Sequence, residues 1–269
     1  MGSDDVLSMC FLTFFNGKKP VLFPDITYSF YSVWADLYRI PYEKQKLDDN
    51  MKIVPEDYYK ENGGVIFPNP NAPTGLLMDL DSVRDIIEHN KDVVVIVDEA
   101  YIDFGGVSAK DLVNEYDNVL VVQTFSKSRS MAGMRIGYAF GSKELIKALN
   151  DVKFSFNSYT MNMTSIDMGV ASINDKKYFE ECVERITATR ERTKEELTKL
   201  GFTFPDSKAN FIFATHKSVP AKEIFEKLKD LNIFVRYFAQ PGIDNYLRIT
   251  IGTDEQMDKL ISALSEIVG

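Results

Sequence analysis

Apolar residues in this chain gather in short, unbroken runs separated by polar stretches rich in glycine and proline. Val93-Val-Val-Ile-Val97 is the most apolar of these runs; Val119-Leu-Val-Val122 and Gly64-Val-Ile-Phe67 are of the same kind. Runs of this length without polar alternation suit strands buried on both faces. Between them the period lengthens: Leu80, Val83, Ile86 and Ile87 share one face of a helix predicted over residues 79–88. Further helices are predicted over residues 6–15, with Ser3 or Asp4 as cap, over residues 29–38, briefly from residue 54, and after Ser142. Strands are predicted over residues 19–23 and 135–140. Alternating helices and buried strands predict an α/β fold: a mostly parallel sheet sandwiched by helices.

From about Lys176 the texture changes. Residues 178–200 read as a long charged helix with a narrow apolar stripe of Phe179, Cys182, Val183 and Ile186. Strands follow at residues 210–214, 233–235 and 246–251, with a helix from Pro220 and a last one behind the capping box Thr253-Asp-Glu-Gln256. This predicts two units: a large domain over residues 1–175 and a smaller C-terminal α+β domain over residues 176–269.

Charge and composition narrow the function. With 31 Lys and Arg against 40 Asp and Glu, the net charge is −9, which argues against a nucleic-acid partner. No apolar run approaches the roughly 18 residues needed to span a bilayer, so no membrane partner is expected. Two distant cysteines, Cys10 and Cys182, form no disulfide framework and fit a reducing, cytoplasmic setting. The two histidines, His89 and His216, are both expected to be exposed. HExxH, CxxC and GxGxxG are absent, so no metal is expected, and a nicotinamide-dependent enzyme loses ground.

The chemistry-bearing side chains collect where buried strands end. One apolar run stops at Asp98-Glu-Ala-Tyr101 and another at Thr124-Phe-Ser126-Lys127. Open α/β sheets place ligands at the carboxyl ends of their strands. Pro68-Asn-Pro-Asn-Ala-Pro-Thr-Gly75 follows the run at residues 64–67, and its prolines stiffen the turn. An isolated lysine is most often a solvated surface charge, and Arg135, Arg236 and Asp98 also have plain readings as a surface arginine, a surface ion-pair partner and a loop cap.

Asn-Pro-Asn-Ala-Pro-Thr-Gly, Asp-Glu-Ala-Tyr, Ser-Lys with a downstream arginine, and Leu247-Arg-Ile-Thr-Ile-Gly-Thr253 follow one another along the chain in that order. In this the chain resembles the fold-type I aminotransferases that use pyridoxal 5'-phosphate, most closely their histidinol-phosphate branch, over essentially its whole length. The resemblance implies that Lys127 carries the cofactor and shuttles the Cα proton, that Asp98 keeps the pyridine nitrogen protonated, and that Tyr101 faces the phenolate oxygen. It implies a phosphate site of Ser3, Asp4, Ser126 and Arg135, a ring stacked on Tyr28, and substrate anchors at Arg236 and Arg248. Where the family commonly places Asn before Pro-Thr-Gly, this chain has Ala72; the neighbouring Asn71 is the candidate substitute.

The implied activity is amino-group transfer between L-histidinol phosphate, the small-molecule amino donor, and 2-oxoglutarate, the keto-acid acceptor, in a homodimer. Aromatic aminotransferases and phosphothreonine decarboxylases share these motifs and stay open as alternatives. The family also carries an arm and a helix ahead of its phosphate loop, whereas this sequence opens at that loop. The expectation is therefore an N-terminally truncated member, with a non-catalytic cofactor-binding scaffold as the rival reading.

Overall fold

The computed structural model describes residues 2–269; Met1 lies outside the described residues. Along the first part of the chain come α1 (Gly2–Phe14), β1 (Val21–Pro24), α2 (Phe30–Tyr38), β2 (Tyr42–Gln45), β3 (Gly64–Pro68), α3 (Leu80–Glu88), β4 (Val95–Asp98), β5 (Val119–Thr124), β6 (Gly137–Gly141) and α4 (Lys143–Phe156). The strands form one sheet in the order β2-β1-β3-β4-β5-β6. All neighbours run parallel except the edge strand β6, which is antiparallel to β5 with Ala139 opposite Val122.

The unbroken apolar runs are explained by burial on both faces. Ile66, Ile96, Leu120 and Val122 pack against Leu7 and Phe11 of α1, Tyr31 and Trp34 of α2 and Leu149 of α4. The alternate residues Val65, Phe67, Val95, Val97, Val119 and Val121 pack against Val83, Ile86 and Ile87 of α3. Each such side chain contributes about 1.5–3 kcal/mol when fully removed from water. The chain is thus α/β, with a mostly parallel sheet between two helical layers.

The second part contains α5 (Met163–Asn174), α6 (Lys176–Lys199), β7 (Phe202–Thr203), β8 (Phe211–His216), α7 (Ala221–Asp230), β9 (Arg236–Tyr237), β10 (Leu247–Thr250) and α8 (Asp254–Val268). Its strands form an antiparallel sheet, β7-β8-β10-β9. Ile212, Ala214, Leu247 and Ile249 face Ile224 and Leu228 of α7, Leu260 and Leu264 of α8, and Leu197 of α6. The Thr253–Gln256 capping box starts α8 as expected. No helix among the described residues is long and apolar enough to cross a membrane.

Several local expectations need correction. Helix α1 begins at Gly2, not residue 6, so Ser3 and Asp4 lie in its first turn rather than capping it. Its start is fixed by a tertiary contact: Gly2 N–H donates to the Arg135 carbonyl at 2.8 Å. The first turn lies so close to β6 that a Cβ on Gly137 would sit 2.3 Å from the Gly2 backbone. The strand expected at residues 233–235 is instead Arg236–Tyr237, because Leu247 and Arg248 of β10 offer their edge there; Ile233 and Val235 turn their side chains into the core.

His216 is not exposed. It ends β8, is buried, accepts from Val219 N–H at Nδ1 (3.0 Å), and sits 3.0 Å from the Leu200 carbonyl at Nε2. That partner set places the proton on Nε2. In α6 the expected apolar stripe is only half-buried. The fully buried positions are Thr189, Arg190, Thr193 and Leu197. Arg190 Nη1 donates to the carbonyls of Phe104 (2.8 Å) and Ala209 (2.9 Å), tying the loop after β4 to the approach to β8. A second tie is Gly75, at φ +77, where a Cβ would meet Ser207 Oγ at 2.4 Å.

Candidate active site

Strands β4 and β5 are neighbours and end side by side, which brings Asp98 next to the turn that carries Lys127. Asp98 is 4% exposed. Its Oδ2 accepts from Tyr31 Oη at 2.8 Å and its Oδ1 from Ala100 N–H at 3.2 Å. Burial pushes the carboxyl up to about 6; the Tyr31 and Ala100 hydrogen bonds and the Lys127 charge pull it down, and the nearby Asp4 pushes it up. The group is therefore a carboxylate held at the edge of protonation, suited to sharing a proton with a basic ring nitrogen.

The turn after β5 is shaped by Thr124. Ser126 N–H donates to Thr124 Oγ1 at 3.1 Å, and Thr124 Oγ1 lies 3.2 Å from the Ile136 carbonyl that it bonds. This sends Ser126 and Lys127 outward from the strand end. Lys127 Nζ lies over the Tyr101 ring, 5.2 Å from its centroid. Tyr101 is held edge-on against Phe211 of β8, with ring centroids 5.1 Å apart.

Ser3, Asp4, Tyr28, Ala72, Asp98, Tyr101, Ser126, Lys127 and Arg135 line one cavity of about 160 Å³. At one side stand the first turn of α1, Ser126 and Arg135. A helix start, a hydroxyl and a guanidinium together make an anion site. Arg135 Nη2 lies 3.6 Å from Asp4 Oδ2, and Tyr28 Oη donates to Asp4 Oδ1 at 2.9 Å. Burial and the Asp4 carboxylate raise the Tyr28 phenol well above its ordinary range, so it remains a neutral ring.

Asn71 is not part of this cavity. Its side-chain amide donates to the Ile26 carbonyl at 3.0 Å and accepts from Thr27 Oγ1 at 3.1 Å. It lines a separate hollow with Asn69 and Asp79. The Pro-rich turn directs the methyl of Ala72 at the cavity and uses Asn71 to hold itself to the β1–α2 loop. The structure therefore gives Asn71 a scaffolding position.

Arg236 and Arg248 line an adjoining hollow of about 550 Å³ that shares Tyr28 and Ala72 with the first. Arg248 Nε is buried and has no hydrogen-bond partner. A buried donor without a partner in the chain leaves room for an acceptor from outside it. The two chambers together suit a flat ring bearing an aldehyde, a phenol oxygen, a pyridine nitrogen and a phosphate, with a second anionic group next to it.

The profile of the aminotransferase class I and II family matches residues 1–264. The chain belongs to the class I and II aminotransferases. It is 53% identical to the histidinol-phosphate aminotransferase of Clostridium beijerinckii, over 99% of this chain and 75% of that relative. Among solved structures, the histidinol-phosphate aminotransferase of Clostridium acetobutylicum superposes with a TM-score of 0.91 at 24% identity, covering 99% of this chain and 81% of that one. The enzyme of the same name from Sinorhizobium meliloti, in complex with pyridoxal 5'-phosphate, gives 0.89 at 21% identity, covering 98% and 74%. At these identities the two structures speak for the shared fold.

Two residues of this aminotransferase site escape a reading of the sequence alone. Tyr31, the donor to Asp98, carries a signal: it falls on the core face of α2 with Trp34, and a phenol in a core needs an acceptor. Phe211 reads in sequence as an ordinary strand residue, and only the packing of β8 on the β4 loop brings it to Tyr101.

Proposed function

We propose that this aminotransferase moves the amino group between L-histidinol phosphate and 2-oxoglutarate, with pyridoxal 5'-phosphate in the smaller chamber and the substrate's acidic group in the larger. The observation that carries this reading is the shared wall of Tyr28 and Ala72, which sets a two-arginine hollow directly against the Asp98–Lys127 cavity. The relatives' name supports the donor.

When bound, pyridoxal 5'-phosphate supplies an electron sink for the carbanion left at Cα. Lys127 would hold the cofactor through its amine, and the same amine would serve as the acid–base group for the Cα proton. Asp98 holds a proton at the ring nitrogen, and Tyr31 fixes the orientation of that carboxylate. Tyr101 would donate to the phenol oxygen, while Ser126, Arg135 and the first turn of α1 would hold the phosphate. Arg236 and Arg248 take the phosphate of one substrate and the carboxylate of the other in turn, as a ping-pong exchange in one site requires. The remaining parts of this reading are a large unit over residues 1–175 and a small one over 176–269, a homodimer, and a cytoplasmic setting. The division is supported by the separate cores around the two sheets.

A turnover assay with 2-oxoglutarate tests the proposal. Histidinol phosphate is expected to outpace dephosphorylated histidinol, phenylalanine and tyrosine. Glutamate production from the aromatic amino acids alone, or carbon dioxide release from phosphothreonine, would replace the substrate assignment with one of the alternatives.

A further inference from the structure

Between the amine of Lys127 and the outer arginine of the larger chamber, cations and aromatic rings make an unbroken line. Lys127 Nζ stands 5.2 Å from the Tyr101 ring centroid, and Tyr101 meets Phe211 at 5.1 Å. The Arg248 guanidinium lies 5.2 Å from the Phe211 ring and 6.0 Å from that of Phe238, and the Arg236 guanidinium lies 5.5 Å from the Phe238 ring. Phe238 is thus the ring shared by both guanidiniums, and it lines the chamber that they enter.

Neither Arg236 nor Arg248 forms an ion pair with a carboxylate among the described residues, although acids outnumber bases 40 to 31 in the chain. Two like charges in one chamber repel each other, and the usual remedy is a carboxylate between them. A carboxylate there would also neutralise the site, and an incoming anion would have to displace it. An aromatic face attracts a guanidinium through its quadrupole without offering a hydrogen-bond acceptor. It holds the planar cation without consuming an N–H donor, and the buried Arg248 Nε has no hydrogen-bond partner.

We propose that Phe238 is a positioning residue for anion recognition: its ring replaces an internal carboxylate as the partner of both Arg236 and Arg248, keeping the pair charged, oriented and uncompensated for the substrate's acidic group. This deepens the reading above and rests on it. Phe211 shares the work on one side, but it is buried in the core at 1% exposure, whereas Phe238 is only half-buried at the chamber wall. Phe238 is therefore the position where the effect can be separated from folding.

The test compares wild-type holoenzyme with Phe238→Leu, Phe238→Met and Phe238→Trp. Calorimetric titration with inorganic phosphate at fixed ionic strength reports the anion site while the cofactor chamber is filled. Loss of two ring contacts is expected to weaken phosphate binding and raise KM for histidinol phosphate about five- to tenfold. The kcat should stay within about twofold, and Phe238→Trp should restore both values. Phe238→Met, close in volume but without a ring face, decides the matter if the leucine variant folds poorly. Wild-type phosphate affinity in the Leu or Met variant overturns the proposal. So does a Trp variant as weak as Leu, or a wild-type enzyme that binds no phosphate. Failure of wild-type enzyme to turn over histidinol phosphate overturns the substrate reading alone, and the phosphate titration still decides the role of Phe238.

Discussion

Tyr31 donates its phenolic proton to Oδ2 of Asp98 across 2.8 Å, in the interior between α2 and the end of β4. The bond joins a residue of the aromatic core to a carboxylate that lines the candidate cavity. It keeps a buried acid ionisable, since the Asp98 carboxyl is lifted from 3.8 to about 6 by burial and held from rising further chiefly by this bond. Removing the hydroxyl in Tyr31→Phe leaves one carboxylate oxygen short of a donor, which costs about 1–3 kcal/mol. The Asp98 carboxyl should then move above 6, and the acid limb of the kcat/KM profile should shift to higher pH. An unshifted limb would show that Tyr31 only packs.

The raised Asp98 also predicts how stability depends on pH in the cofactor-free protein. The folded state binds this proton more tightly than the unfolded chain, so the favourable contribution is complete below pH 3.8 and is lost as pH rises to about 6. The loss is on the order of 3 kcal/mol. Asp98→Asn removes the titration, so the variant should be more stable than wild type at pH 7.5 and similar to it at pH 4. Urea unfolding at both pH values measures the difference, and parallel curves for the two proteins would refute the assignment.

Replacing Lys127 by Arg keeps the charge and the contact with the Tyr101 ring but removes the free amine. Turnover should fall by at least about 10³-fold, with unfolding free energy within about 1 kcal/mol of wild type. Borohydride reduction of the wild-type holoenzyme followed by peptide mapping should label Lys127, and a label spread over other lysines would show that Lys127 does not carry the cofactor.

Arg190 is buried and bonds two carbonyls that belong to different parts of the chain, Phe104 and Ala209. Arg190→Met leaves both acceptors dry and should cost about 3 kcal/mol in denaturant unfolding. Arg190→Lys, with a single rotating donor group, should recover part of this. Equal stability of all three proteins would mean that water satisfies those carbonyls.

Much of the fold, and the gathering of the candidate residues around one cavity, was legible without coordinates, for a definite reason. Unbroken runs such as Val93 to Val97 can be satisfied only between two helical layers, and those layers bury Ile96 on one side and Val95 and Val97 on the other. A residue that follows such a run must appear at the strand's carboxyl end, so Asp98 and Lys127 could be placed side by side at neighbouring strand ends from order alone. The phosphate-site reading of Ser126, Arg135 and the first turn of α1 rested on the resemblance, and the structure brings these residues to one side of the cavity.

What the sequence could not contain is contact between residues far apart in it. Tyr31 and Asp98 are 67 positions apart, and Arg190 and Phe104 are 86 apart. No periodicity encodes either pair. The burial of Arg190 and His216 runs against the tendency of their side chains to stay in water; it is compensated for Arg190 by the Phe104 and Ala209 carbonyls and the adjacent Glu191 carboxylate, and for His216 by the Leu200 carbonyl and the Val219 N–H. Asn71 and Ala72 differ by one position, yet the direction of the Pro-rich turn decides which faces the cavity. Local pattern thus determined the elements and the reactive ends of the strands. The tertiary structure decided which buried polar groups meet, because each becomes stable only when its partner arrives from elsewhere in the chain.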